Sequence, residues 1–374
     1  MKKELVFDQR INVTQPKLPD FSMYTELLKE IWEKKWLTND GPLHERFREQ
    51  VKDMLKVQHV ELFTNGHLAL EIALKALGLT GEVITTPFTF ASTTHAISNC
   101  GLTPVFCDVD RKTYNIDPEK IEALISPNTS AIVAVHVFGT PCDVARIEEI
   151  ANKHNLKVIY DAAHAFGVEV NGVGIGSFGD ISMFSLHATK VFHSIEGGLL
   201  TFKDEALASR VKSLKNFGIT SPDDVGYIGT NAKMNEFQAA MGLCNLETVR
   251  NDIRNRKQVF ETYVDGLKDV PSVQLLQPRE DVLANYSYFP ILLPSHSTRD
   301  HLFEALKGYN VFARKYFYPL CNDFSCYQTT SSVTPIAKEI SDCVLCLPMY
   351  ADLDLAHAKQ ITEIITLELG EPLE

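Results

Sequence analysis

Lys157-Val158-Ile159-Tyr160-Asp161-Ala162-Ala163-His164 opens as a short run of β-branched and aromatic residues and ends in an aspartate followed by small residues. A run of this length reads as a strand buried on both faces. Just before it, residues 143–154 carry apolar side chains at helical spacing, with Asp143 where an N-cap belongs. Farther upstream the alternation repeats. Ala131-Ile132-Val133-Ala134-Val135, Thr103-Pro104-Val105-Phe106 and Val83-Ile84-Thr85 read as strands, and 118–125, 90–100 and 66–78 as helices, with Asp117 capping the first of these. Repeated βα units predict an α/β fold with a mostly parallel sheet covered on both faces. Asp161 then falls at the carboxyl edge of that sheet, where open α/β sheets bind ligands.

After Asp161 the text changes. Val168-Glu169-Val170, Ile181-Ser182-Met183-Phe184-Ser185 and Gly198-Leu199-Leu200-Thr201-Phe202 read as consecutive strands joined by turns. A long helix is expected from about Glu236. Beyond it come strand-like runs at Tyr286-Ser287-Tyr288-Phe289 and Ile291-Leu292-Leu293, and helices over 300–307 and 354–368. Ahead of the sheet, residues 22–58 read as helices around the loop Trp36-Leu37-Thr38-Asn39-Asp40-Gly41-Pro42, the second running from about Leu43 to Leu55. A large domain is therefore expected over 51–250 and a smaller α/β domain over 251–374, with residues 1–50 joining the small domain and the substrate cleft.

Bulk composition narrows the function. The 374 residues carry a formal charge of −12, which argues against nucleic acid as a main partner, since phosphate binding leaves a basic footprint. A hydrophobic fraction of 45% suffices for a full core. The opening residues lack the apolar run and small-residue cleavage site of a secretory signal. No stretch approaches the ~18 apolar residues of a membrane span, so a soluble, cytoplasmic protein is expected. The eight cysteines are scattered, and Cys343-Val344-Leu345-Cys346 sits in an apolar strand-like run, so buried thiols are expected and no metal. Gly174-Ile175-Gly176-Ser177-Phe178-Gly179 matches GxGxxG by letter. A dinucleotide fingerprint needs a helix to open there, whereas a strand follows, so this reads as a tight turn.

The chemistry lies elsewhere. In Phe184-Ser185-Leu186-His187-Ala188-Thr189-Lys190-Val191-Phe192, a lysine ends a strand among apolar residues, just ahead of Gly197-Gly198. Desolvation there lowers the lysine pKa and yields the neutral amine that forms a Schiff base with an aldehyde. Taken alone, a lysine at a strand end is ordinarily a surface lysine, and Asp161 alone also has a plain reading as a helix cap after the strand. A strand-end carboxylate also suits a protonated pyridine nitrogen, a pairing that keeps such a ring an electron sink; His164 is close enough in sequence to meet the ring hydroxyl. Phe63-Thr64-Asn65-Gly66-His67-Leu68 opens a helix whose N-terminal amides attract phosphate. Thr86-Pro87-Phe88-Thr89-Phe90 follows a strand and supplies an aromatic able to stack on a flat ring. What decides between these readings is the joint order of phosphate-type helix start, aromatic turn, strand-end aspartate and strand-end lysine, with room for a hairpin to return Lys190 to the edge that carries Asp161.

With these motifs the chain resembles the DegT/DnrJ/StrS sugar aminotransferases over about residues 11–350, most specifically from Asp161 to Gly198. The resemblance implies the type I, aspartate-aminotransferase fold of pyridoxal 5'-phosphate enzymes. It also implies roles: Lys190 as the catalytic lysine bound to the cofactor, Asp161 at the pyridine nitrogen, His164 at the ring hydroxyl and Phe90 on the ring face. Ser185, Gly66 and His67 would hold the phosphate, and Asn231 would reach the phosphate of the other subunit's cofactor, placing two active sites at a homodimer interface. The family usually carries threonine at position 67, so His67 offers its backbone amide in place of a hydroxyl contact. Lys190 speaks against the branch that uses histidine there and removes a sugar hydroxyl. Val13-Thr14-Gln15-Pro16, Trp36 to Pro42 and His187 to Phe192 look like the enzymes that aminate C4 of dTDP-4-keto-6-deoxy-D-glucose with L-glutamate as donor, giving dTDP-4-amino-4,6-dideoxy-D-glucose; C3 aminotransferases share most of these strings. Ala313-Arg314-Lys315-Tyr316-Phe317-Tyr318 corresponds to a part that lines the sugar-nucleotide pocket, so Arg314, Tyr316 and Tyr318 are the candidate substrate contacts, with a structural salt bridge equally open to Arg314. A lyase or dehydratase on the same scaffold is the competing expectation, because fold and cofactor do not fix the reaction.

Overall fold

The computed structural model describes residues 5–327 and 333–370. Its centre is a seven-stranded sheet built from β1 (His59–Phe63), β2 (Glu82–Thr85), β3 (Thr103–Phe106), β4 (Thr129–Val135), β5 (Lys157–Asp161), β6 (Ile181–Ser185) and β7 (Gly198–Phe202). Their order across the sheet is β1-β7-β6-β5-β4-β2-β3. All pairings among β2 to β6 are parallel, and β7 alone runs antiparallel to both its neighbours. Successive side chains point to opposite faces, so a strand buried on both sides must be largely apolar, with any polar side chain paired. That is what the sequence provides: Leu62 and Val158 pack into the apolar cluster on one face, Phe63 and Ile159 into the cluster on the other.

The helices α1 (Phe21–Lys34), α2 (Pro42–Leu55), α3 (Gly66–Ala76), α4 (Ala91–Asn99), α5 (Val144–His154), α6 (Glu205–Leu214) and α7 (Glu236–Leu267) supply those layers. Phe47, Val51, Ile147, Ala239 and Leu243 cover the face of Leu62; Leu70, Ala73, Ile97 and Val211 cover the face of Phe63. Asp117 and Asp143 cap their helices by accepting the Glu119 and Arg146 amides at 3.1 Å each.

The C-terminal half of α7 enters a separate apolar cluster, where Val259, Tyr263 and Leu267 meet Ile291, Leu345, Ile361 and Ile365. Its sheet pairs Phe289–Leu292 antiparallel with both Gln274–Leu275 and Val344–Leu347. Of the first fifty residues, Phe7 and Ile11 join this cluster, whereas Ile31, Leu43 and Phe47 join the core of the large sheet. A short parallel pairing of Ile11–Asn12 with Val311–Phe312 ties the two chain regions together.

Three sequence expectations need correction. The runs at 286–289 and 291–293 are one strand, Phe289–Leu292, because Tyr286 turns into the left-handed region (φ 53°) and breaks the first run. Lys190 does not end a strand: β6 stops at Ser185, and the lysine lies in the loop beyond it. Nor does a simple hairpin return the chain from Asp161. The short pair Glu169–Val170 and Val173–Gly174 forms its own small sheet with Val282–Leu283, and β6 then re-enters parallel to β5. The glycine-rich segment 174–179 holds one 3-10 turn, Ile175–Ser177, and leads into β6, so no α-helix opens there for a dinucleotide.

Candidate active site

Asp161 closes β5 at the carboxyl edge of the sheet. Its carbonyl accepts the His136 amide at 3.0 Å, which extends the β4–β5 ladder by one step. The carboxylate is buried. Oδ2 accepts the Thr93 hydroxyl at 2.7 Å and Oδ1 accepts the Ala163 amide at 3.1 Å. Burial pushes its pKa up, against the pull of those two donors and of the Lys190 charge.

His164 occupies the turn that follows. Asn285 Nδ2 donates to its carbonyl at 2.8 Å. The imidazole lies parallel to Phe317, 2° between planes and 5.9 Å between centroids, and meets Tyr288 edge-on at 4.8 Å. Burial drives its pKa well below the usual histidine range, and the positive charge of Lys190 adds to that, so the ring is neutral. Nδ1 is buried with no hydrogen-bond partner among the described residues. Such an atom is costly unless something else satisfies it.

The loop from β6 to β7 presents Lys190. Its neck is closed by the Leu186 amide donating to the Gly197 carbonyl at 2.8 Å and the Ser194 amide to the Leu186 carbonyl at 3.0 Å. Phe192 anchors it, stacked on Phe166 at 4.2 Å. His193 Nε2 donates to the Lys17 carbonyl at 2.7 Å, which fastens the N-terminal segment to the same loop. Lys190 itself is half-buried. Burial lowers its amine to about 8; Asp161 opposes that shift and Arg314 adds to it. The lysine, the carboxylate and the guanidinium therefore share one electrostatic environment.

A cradle lies beside them. Asn65 caps α3 through the Leu68 amide at 2.8 Å, which leaves the amides of Gly66 and His67 at the open helix end. Gly66 abuts Ser185 so closely that an added Cβ would stand 3.2 Å from the serine Cβ. Ser185 pairs in register with Gly198, the first residue of β7. The His67 ring turns away, with Nδ1 2.9 Å from Ser92 Oγ and Nε2 3.2 Å from Glu71. Only its amide is left for the helix end. Phe90 precedes α4 as an exposed aromatic, 57% accessible.

The remaining sequence candidates divide. Arg314 covers the Tyr316 ring at 4.5 Å, and Tyr316 meets Tyr288, the neighbour of His164, at 5.8 Å. Tyr318 belongs elsewhere: its ring faces Arg299 at 4.6 Å and His296 at 5.7 Å. Asn231 is exposed and accepts Lys233 Nζ at 2.8 Å.

Sequence reading missed Thr93, Phe317, Tyr288 and Asn285. For Thr93 a signal exists: Thr89 and Thr93 are spaced to share one face as the helix opens. For the other three, nothing local marks them. A group of possible metal ligands, Asp40, His44 and Glu45, gathers at the start of α2, but Lys215 stands 3.3 Å from Asp40 and Arg48 2.6 Å from Glu45, so the carboxylates already have cations.

Comparisons with known proteins identify the family. The model of the DegT/DnrJ/EryC1/StrS aminotransferase family matches residues 22–366. A dTDP-4-amino-4,6-dideoxy-D-glucose transaminase of Shigella dysenteriae is 45% identical over 92% of this chain and 95% of its own. The Escherichia coli protein of the same name is 44% identical over 96% and 98%. Among solved structures, DesI, crystallised in the presence of its TDP-sugar product, superposes with a TM-score of 0.93 at 36% identity and covers 97% of this chain and 93% of its own.

Proposed function

Because the chain belongs to the DegT/DnrJ/EryC1/StrS aminotransferase family, we propose that it transfers the amino group of L-glutamate to C4 of dTDP-4-keto-6-deoxy-D-glucose, with pyridoxal 5'-phosphate held at Lys190. The choice of sugar is supported by the likeness to the two transaminases above. The cofactor assignment is carried by one observation: a half-buried lysine amine lowered to about 8 shares its surroundings with the buried carboxylate of Asp161.

The residues also fit the cofactor in shape. The orphaned Nδ1 of His164 suits a ring hydroxyl. The amides of Gly66 and His67 and the hydroxyl of Ser185 form a pocket that needs no basic side chain to attract a phosphate. Phe90, exposed in the single chain, suits a ring face.

When bound, the cofactor supplies an electron sink for the carbanion beside the transferred nitrogen. The protein does the rest. Asp161 holds a positive charge at the ring nitrogen. Lys190 Nζ takes the proton from the donor's α-carbon and later delivers one to C4 of the sugar, roles that a pKa near 8 allows in turn. Arg314, poised over Tyr316 beside the lysine, offers a guanidinium fork to a carboxylate or a diphosphate. In this reading the active protein is a homodimer, with Asn231 and the exposed Phe217, Tyr227 and Ile228 turned to the partner's site.

The test is direct. Purified protein with glutamate and dTDP-4-keto-6-deoxy-D-glucose should release 2-oxoglutarate, and NMR of the sugar should show nitrogen on C4. Amination of only a 3-keto sugar in a parallel reaction would move the assignment to C3; no 2-oxoglutarate with either sugar would overturn it.

A further inference from the structure

Two donors from different elements hold the Asp161 carboxylate, one to each oxygen: the Ala163 amide from its own turn and the Thr93 hydroxyl from α4. The last torsion of an aspartate side chain is broad, so a single donor would leave its plane loosely set. Two donors fix the plane, and each oxygen keeps a lone pair for something facing it.

Thr93 is in turn over-determined. Its side chain is fully buried near the start of α4, where close packing leaves little room for another rotamer. Its one hydroxyl hydrogen goes to Asp161, because an ionised carboxylate can only accept. The contact with Thr89 Oγ1 at 3.0 Å must then run from Thr89 to Thr93. Thr89 is itself braced from the C-terminal region, where the Cys321 thiol donates to its carbonyl at 3.3 Å and the Cys321 amide donates to the Pro87 carbonyl at 3.0 Å. The hydroxyl bonds thus run from Thr89 through Thr93 onto one carboxylate oxygen, while the Cys321 turn holds the backbone of the segment that carries Thr89.

We propose that Thr93 is a positioning residue of this site, its hydroxyl fixing the Asp161 carboxylate in the orientation that pairs with a protonated ring nitrogen. The proposal rests on reading the site as one for pyridoxal phosphate. Thr93 touches neither cofactor nor substrate in this scheme. It acts through Asp161, and its effect should vanish when the ring offers no nitrogen to pair with.

Full-length protein stripped of cofactor provides the test. Wild type, Thr93→Val and Thr93→Ser are titrated by equilibrium dialysis with pyridoxal phosphate and with its analogue carrying carbon in place of the ring nitrogen. Valine keeps the shape and removes the donor; serine keeps the donor. Thr93→Val should weaken pyridoxal phosphate binding by roughly ten- to a hundredfold, the range of a hydrogen bond to a charged group. It should leave the carbon analogue's affinity unchanged, and Thr93→Ser should restore most of the loss. Equal losses for both ligands would assign Thr93 a merely structural role and overturn the proposal, as would undiminished affinity of Thr93→Val for pyridoxal phosphate. Wild-type protein that binds neither ligand would instead overturn the reading of the site beneath it.

Discussion

Gly198 stands against Asn65 with no room for a side chain: a Cβ there would lie 2.5 Å from the Asn65 carbonyl carbon and oxygen and 2.6 Å from the Gly66 nitrogen. The obstacle is backbone, so no rotamer change relieves it. Gly198→Ala should push the start of α3 away from β7, at a cost of about 1–3 kcal/mol typical of overpacking. The cradle formed by Gly66, His67 and Ser185 should open with it. Thermal unfolding and a pyridoxal phosphate titration of the same variant should both report the change.

Lys190→Ala should abolish turnover, lowering it at least a thousandfold, in line with the loss of a nucleophile and general base together (~10³). Borohydride reduction of the wild-type protein with pyridoxal phosphate should add the cofactor's mass to the peptide containing Lys190. The same treatment of the variant should leave that peptide unmodified. Wild-type turnover in the variant would remove the lysine from the mechanism.

The lowered amine sets a pH dependence. A lysine reacts with an aldehyde in its unprotonated form, so a value near 8 places the change well below the ordinary lysine range. The rate at which cofactor-free protein gains its visible band should rise by about tenfold per pH unit below 8 and level off above it. Arg314 contributes to the lowering, so Arg314→Gln should move the midpoint to higher pH. Stopped-flow absorbance across the range decides both points. An unmoved midpoint would mean that the guanidinium does not act on the amine.

Lys215 is buried with its ammonium 2.7 Å from Glu61 and 3.3 Å from Asp40 and from the Leu62 carbonyl. Lys215→Met should destabilise the protein by about 3–5 kcal/mol, because Glu61 is then left buried without its cation. Adding Glu61→Gln should recover part of that loss. Denaturant unfolding of the single and double variants measures the coupling.

The sheet was legible because strands buried on both faces are mostly apolar, and Ala131 to Val135 and Val158 to Tyr160 are short runs of that kind with no charged residue. Asp161 was legible for the same reason, as the first charged group after such a run. Lys190 was misplaced at a strand end because Val191 and Phe192 have strand-like chemistry; what makes them a loop is the closure between Leu186 and Gly197, set by β7, which the chain has yet to form at that point. The spacing of Thr89 and Thr93 marks a shared face, but Thr93 reaches Asp161 across 68 residues, and that spacing does not name the partner. Phe317 and Tyr318 are adjacent and chemically alike, yet one stacks on His164 while the other faces Arg299. Their divergence depends on partners far apart in the chain, so residue type alone could not separate them.

The closed neck between Leu186 and Gly197 makes the segment around Lys190 a cassette closed at its base. Its footing is the two strands that flank it, with Phe166 and the Lys17 carbonyl as further holds, and among the described residues the bonds that close the neck include none from the C-terminal lobe that carries Arg314 and Tyr316. Descendants of such a protein can remodel that lobe to accept a differently shaped sugar while the reactive amine keeps its station. Diversification of taste without retuning of the chemistry is what this architecture permits.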